Sequence, residues 1–373
     1  MNKRQKQVQQ QHLKNEEETL KALKKTYEES LEEITKKSQA LQDEINRLDA
    51  MAANTSDPTE RAKILSQKQA KVYQKQYQDA LKKQVGSVLD NMQVEEFKTI
   101  SSYLQTCYED GFVGTIYDLQ GQGVPVSFPI DQEAMVRAIQ LDSQISEGLY
   151  SRLGEDIAEL KKKISSHVSR GIATGANWKQ TAQQLSSTTN IGYNNAVRIV
   201  RTEGHRIQVQ GAMDACNKAK EKGADVVKQW DSTLDGRTRD SHAKIDGEIR
   251  ELDKPFSNGL MFPGDPEGAA AEVINCRCAL LQRARWALDD GFTKMNNFSK
   301  ELEEFESPKE YKKFKEGFFS DGNRRYMEYV GEMENKYKSH DFFKVLGSMT
   351  DDEYKHYSDL LGSNPIFNAK KRA

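Results

Sequence analysis

From Leu13 to Leu48 an apolar residue recurs at every seventh position, namely Leu13, Leu20, Tyr27, Ile34, Leu41 and Leu48, and this register constrains the fold more than any other feature. Leu23, Leu31 and Ile45 fall three or four residues from members of that set. The spacing therefore predicts a long helix with a two-position apolar seam among Glu, Lys and Gln, as in a coiled coil. The seam stops at Asn54-Thr-Ser-Asp-Pro, where Asp57 suits a helix cap, Pro58 the first helical position, and Glu60 the third position after the cap. A second helix is predicted from Pro58 to Met92, with Ile64, Leu65, Val72, Tyr73, Tyr77, Leu81, Val85 and Leu89 as its stripe. So short a connection predicts an antiparallel hairpin roughly 50 Å long at the usual rise per residue. Two helices leave part of their seam uncovered, which suits such an arm to packing on another subunit or on a second copy of itself.

Beyond this arm, residues 93–153 read as a connector with aromatic residues and a Gly/Pro-rich stretch. Asp118 to Pro129 is expected as a loop or short hairpin, and Asp131 to Ile139 as a helix. Residues 154–285 read as a compact domain. Helices are predicted from Glu155 to Arg170, from Trp178 to Leu185, and from Tyr193 to Lys222, where Gly223 ends the last one. The pattern then turns extended: Asp225 to Trp230 as a strand, Asp235-Gly236 as a turn, and Gly247 to Leu252 as a second strand. A Gly/Pro-rich loop, a short helix at Ala269 to Ile274 and a strand ending near Trp286 follow. Residues 286–373 return to charged helices and end in a basic tail. The fold class is α+β and predominantly helical, with a small, mainly antiparallel sheet.

Charge narrows the function. The 373 residues carry 55 Lys+Arg against 57 Asp+Glu, a net charge of -2, so the diffuse positive field of a dedicated nucleic-acid binder is excluded. Contact with duplex DNA is confined to short basic runs, Lys161-Lys162-Lys163 and Lys370-Lys371-Arg372, and is expected to be weak and steeply salt-dependent. No apolar run approaches the length of a membrane span and the N-terminal residues lack an apolar secretory segment, so a cytoplasmic start and no membrane partner are expected. Four cysteines, Cys107, Cys216, Cys276 and Cys278, are too few for a disulfide framework.

Chemistry-bearing residues concentrate between Trp230 and His242 and at Asn275-Cys-Arg-Cys278. In an extended segment, residues two apart project to one side, so Cys276 and Cys278 can offer both sulfurs to one point. With His242, and with Asp240 or His205 as a further donor, they form a candidate Zn2+ site. The competing reading is two small buried cysteines. Arg237 and Arg239 can bind carboxylates or phosphates, or form a structural pair with Glu203, and Thr238 can cap a helix. Arg201, Glu203 and His205 lie within one turn, where a Glu/His pair can serve acid–base chemistry or join the helix to the sheet as a buried polar network. Phosphate-loop, nucleophile-elbow, HExxH and dinucleotide signatures do not occur.

The order of these motifs is similar to the phage Mu F-like minor head proteins. It comprises R-T-E at Arg201 to Glu203, a strand ending in Trp230, D-G-R-T-R-D-S-H from Asp235 to His242, a D-G pair at Asp246-Gly247, a Gly/Pro loop with Phe262-Pro263-Gly264, and N-C-R-C from Asn275. The resemblance covers residues 155–285. It makes Arg201, Glu203, Trp230, Asp235, Arg237, Thr238, Arg239 and Asn275 family-motif positions. It implies a portal-associated minor capsid protein, made in the bacterial host cytoplasm and placed at the head interior or portal vertex of the virion. Such a protein acts in prohead assembly and in handling or delivering packaged DNA, with the portal and other head proteins as partners. Two alternatives compete: a metal-dependent hydrolase or ADP-ribosyltransferase-like enzyme centred on Glu203, His242, Cys276 and Cys278, and a cellular protein carrying a captured phage domain.

Overall fold

The computed structural model describes residues 1–73, 75–140, 149–174, 178–288 and 307–367. Among the described residues, six helices precede the sheet: α1 (Lys3–Asn54), α2 (Pro58–Tyr73), α3 (Lys75–Gly121), α4 (Gln132–Gln140), α5 (Leu149–Thr174) and α6 (Trp178–Glu221). Strand β1 (Val226–Asp231), helix α7 (Asp240–Lys244), β2 (Ile249–Arg250), α8 (Ala270–Val273) and β3 (Ala279–Ala284) follow, then a 3-10 turn at Arg285–Leu288. Helices α9 (Lys309–Phe318), α10 (Asp321–Tyr337), α11 (Phe342–Ser348) and α12 (Asp351–Ser363) close the chain. The α+β, predominantly helical class predicted from the sequence is observed. Among the described residues, no helix is long and apolar enough to cross a membrane.

Several predicted boundaries differ: the helix expected to end at Met92 continues past it within α3, and the strand expected over Gly247 to Leu252 pairs only at Ile249–Arg250. The helices expected at Trp178 to Leu185 and Tyr193 to Lys222 are one continuous helix, because Asn190, Ile191 and Gly192 keep helical geometry between them. Helix α3 runs on to Gly121, so the first third of the expected Asp118–Pro129 loop is helical. Leu104, Cys107, Tyr108, Val113, Ile116 and Leu119 are all fully buried there. A helix covered on nearly every side loses the one-sided stripe by which helices are recognised.

The chain forms two compact units. One comprises Glu18–Ser102 and Ser146–Val200. Within it Leu48 and Ala52 of α1 pack on Ile64 of α2, and Lys68 pairs with Asp49 at 2.7 Å, so the chain reverses at the predicted Asp57-Pro58 connection. The Tyr27 hydroxyl donates to buried Glu96 at 3.0 Å. Tyr27 also packs edge-on against Tyr193.

The other unit comprises Met1–Glu17, Tyr103–Ile145 and Arg201–Ala373. Its sheet has the order β2-β1-β3 with both pairings antiparallel, and Val226 faces Ala284 while Trp230 faces Leu280. Val226, Val227, Lys228 and Trp230 are all buried, so β1 is covered on both faces. Lys228 lies inside because its Nζ donates to the carbonyls of Leu252 (3.0 Å) and Met261 (2.8 Å). Helices α3 and α6 cross closely through glycine: a Cβ on Gly111 would lie 1.9 Å from the Gln208 carbonyl oxygen, and one on Gly211 would lie 2.4 Å from that of Tyr108. Asp118 of α3 gathers amide donors from Asn2, Gln5, Gln122 and Gln282, which joins α1, α3 and β3. Burial still pushes its carboxyl above the usual range, against those donors.

Candidate functional site

Strand β1 ends at Trp230, which exposes none of its surface, and the chain then closes a tight loop around Ser232. Trp230 Nε1 donates to Ser232 Oγ at 3.1 Å, and that hydroxyl donates to the His242 carbonyl at 2.8 Å. The Ser232 backbone N–H donates to Asp246 Oδ1 at 2.7 Å. Leu234 takes a positive φ of 53°, a strained conformation for a branched residue, and so turns the chain into Asp235.

Asp235 organises the loop. Its Oδ1 accepts the Arg237 backbone N–H at 2.9 Å, and Arg277 grips the carboxylate with both guanidinium arms, Nη2 to Oδ1 at 2.7 Å. The Arg277 fork, then the Arg237 backbone N–H, hold this carboxyl well below the usual range. Thr238 was predicted to cap a helix. Instead α7 begins at Asp240 with Arg239 at the cap position, and the Thr238 hydroxyl accepts the Asp235 N–H at 3.2 Å, closing the turn. Arg237 is exposed. Arg239 donates to the carbonyls of Ala271 and Ile274, the latter at 2.6 Å, and so fastens α8 to the loop.

The R-T-E triplet divides its work. Glu203 pairs with Arg206, one turn on, at 2.7 Å with both side chains almost fully enclosed, and Arg206 also donates to the Ala138 carbonyl at 3.1 Å. Neither Arg237 nor Arg239 meets Glu203. Arg201 is half-exposed and pairs with Glu16 at 3.1 Å. Thr202 Oγ1 accepts the Asn275 N–H at 3.4 Å, so the middle residue makes the link to N-C-R-C. Asn275 has φ 53°, a conformation that asparagine tolerates better than most residues.

Two residues later the sulfurs converge. Cys276 and Cys278 precede β3 rather than lying in it, yet His242 Nδ1 is 3.3 Å from Cys278 Sγ and 3.7 Å from Cys276 Sγ. The three donor atoms lie within 4.8 Å of one another, and all three residues are buried. Hydrogen bonds from Cys276 and His242 draw the Cys278 thiol well below the ordinary range; sharing that proton, and burial, push Cys276 up. On the far side of the ring, Glu272 Oε2 is 2.9 Å from His242 Nε2 and accepts from Ser241 Oγ at 2.8 Å. Asp240 and His205 do not join the converging set. His205 is half-buried with its Nε2 enclosed, and desolvation lowers its pKa to about 4. Arg206, Glu272 and Arg277 were not singled out from the sequence; only the i+3 spacing of Glu203 and Arg206 carried a signal. A cleft of about 1100 Å3 borders the cluster, lined among others by Arg201, Arg237, Asn275 and Cys276.

The basic runs lie apart from this cluster in sequence. Lys161 pairs with Asp90, and exposed Lys163 pairs with Glu159 at 2.6 Å. Lys370, Lys371 and Arg372 fall outside the described residues.

A helical chain in which R-T-E, a buried strand tryptophan, D-G-R-T-R and N-C-R-C close into one joint matches the phage Mu protein F like family over residues 162–281. The minor head protein GP7 of Bacillus phage SPP1 is 30% identical over 214 residues, 53% of this chain and 68% of that protein. The chain therefore belongs to the phage Mu protein F like family. It is also 29% identical over 220 residues to the NAD(+)–arginine ADP-ribosyltransferase EFV of Enterococcus faecalis, which is 57% of this chain but only 44% of that enzyme's length. No solved structure shows a significant match.

Proposed function

We propose that this chain is a minor head protein of a bacteriophage or prophage that acts in head morphogenesis, at the portal vertex or head interior, and helps to handle or deliver packaged DNA. The observation that carries the reading is the 30% identity to the SPP1 minor head protein over two thirds of that protein. The way the motif residues are used supports it. Trp230 is enclosed, Glu203 is neutralised by Arg206, and Asp235, Arg239 and Asn275 close turns, so these positions build a rigid joint rather than present a reactive group. The test is co-expression of the full chain with the portal protein encoded in the same phage or prophage genome. Co-purification of the two, and recovery of this chain from purified heads, is the expected result; a portal that purifies without it would refute portal association.

A second reading, arginine ADP-ribosylation, rests on the likeness to the Enterococcus faecalis enzyme. That match leaves more than half of the enzyme unaccounted for. Glu203, the carboxylate such chemistry would draw on in R-T-E, is tied to Arg206. Incubation with labelled NAD+ and an arginine-rich acceptor should leave the acceptor unlabelled, and a labelled acceptor would establish the transferase reading.

A further inference from the structure

We propose that His242, Cys276 and Cys278 bind one Zn2+ per chain through His242 Nδ1 and the two Sγ atoms. With Zn–S bonds of about 2.3 Å and Zn–N bonds of about 2.05 Å, the N-to-S edge of a tetrahedral site is about 3.6 Å. The observed 3.3 and 3.7 Å bracket that edge, and the two sulfurs lie within 4.8 Å of each other, so all three donors already face one point. Two thiolates and an imidazole are a borderline-soft donor set, which suits Zn2+ and not Mg2+ or Ca2+.

The donors come from segments 34 residues apart in the chain, and each is held independently of the others. The His242 carbonyl accepts from Ser232 Oγ, and its ring packs edge-on against Trp230 at 5.0 Å. The cysteines are aimed by the left-handed turn at Asn275 and by Arg239 on the preceding carbonyls. The fold therefore preorganises the site before any ion arrives.

Glu272 supplies the outer support. Its carboxylate, steadied by Ser241, lies 2.9 Å from Nε2 without hydrogen-bond alignment, so on metal binding a small turn of the ring would let Nε2–H donate to it while Nδ1 faces the ion. Another Cys–His approach, Cys107 to His12 at 3.9 Å, gathers no metal-binding group of three donors among the described residues and serves as an internal control. Three protein donors leave one tetrahedral vertex for water. The ion staples α7 to the N-C-R-C turn, across a long segment that holds only β2 and one short helix.

Elemental analysis of the full chain, purified with zinc present and dialysed against metal-free buffer, should find one zinc per chain. Cys107→Ser should retain it, and Cys276→Ser and Cys278→Ser should lose it. Glu272→Gln should retain the site with about 10- to 100-fold weaker binding in a chelator competition. Should the cysteine variants fail to fold, replacing zinc by Co2+ in the unmutated chain decides the question through a thiolate-to-cobalt charge-transfer band with intense tetrahedral d–d bands. A zinc-replete chain that holds no metal, a Co2+ spectrum without the thiolate band, or a Cys276–Cys278 disulfide in that preparation would each overturn the proposal. None of these outcomes bears on the head-protein reading, which rests on the portal experiment.

Discussion

Removing one partner of the Glu203–Arg206 pair should unfold the motif-bearing unit far more readily than removing both. The two side chains are 2% and 3% exposed and 2.7 Å apart. Glu203→Ala would leave a guanidinium enclosed with only the Ala138 carbonyl as acceptor. Breaking a buried pair in this way costs about 3–5 kcal/mol, because the remaining charge has lost both its partner and its water. At about 2–4 °C per kcal/mol for a unit of this size, the melting temperature should fall by roughly 6–20 °C. Urea unfolding is the assay, with a lower midpoint and an unchanged slope as the expected signature. The double variant Glu203→Leu/Arg206→Met removes both charges and should return to within about 1 kcal/mol of the parent, since well-packed apolar replacements of buried pairs are often neutral. A parental midpoint for Glu203→Ala, or a double variant as unstable as the single one, would refute the structural reading and reopen a chemical role for the carboxylate.

Gly111→Ala should destabilise by at least about 1–3 kcal/mol, since the new methyl meets the Gln208 backbone carbonyl and neither helix can yield locally; urea unfolding again measures it. His12 is buried against Tyr103 and Cys107, with His205 as a further charged neighbour once protonated; burial lowers its pKa from 6.5 to about 4. Between those values the unfolded imidazole binds a proton that the folded one refuses, so stability should fall by about 3 kcal/mol as pH drops through that window. His12→Phe should flatten the pH dependence, and an unchanged slope would count against this assignment. Thr350→Ala removes the capping box with Glu353 at the start of α12 and should cost about 1 kcal/mol, seen as faster amide exchange in that helix. Duplex DNA binding should be weak and fall steeply with salt; tight binding at high salt would contradict the balanced charge.

Local pattern alone determined the first long helix, the reversal at Asp57-Pro58, the strands on either side of the motif cluster and the turn at Asp235-Gly236. Each rests on neighbours in the chain: a seven-residue seam, a cap followed by proline, an Asp-Gly pair. The continuation of α3 to Gly121 was not legible, because burial on all sides erased the stripe that marks a helix. The continuity of α6 through Gly192 was hidden by the same local logic, since Asn and Gly read as a break until packing against Tyr27 and Leu160 is known. Sequence marked Glu203, Asp235, Arg239, His242, Cys276 and Cys278 as residues that matter, yet it paired Glu203 with the wrong arginines and gave the histidine–cysteine cluster the wrong extra donors. Those choices belong to tertiary structure: which charge neutralises Glu203, which fork grips Asp235, and which imidazole meets the two sulfurs all depend on bringing together segments tens of residues apart, and only the packing of α6, β1 and the N-C-R-C turn sets those distances.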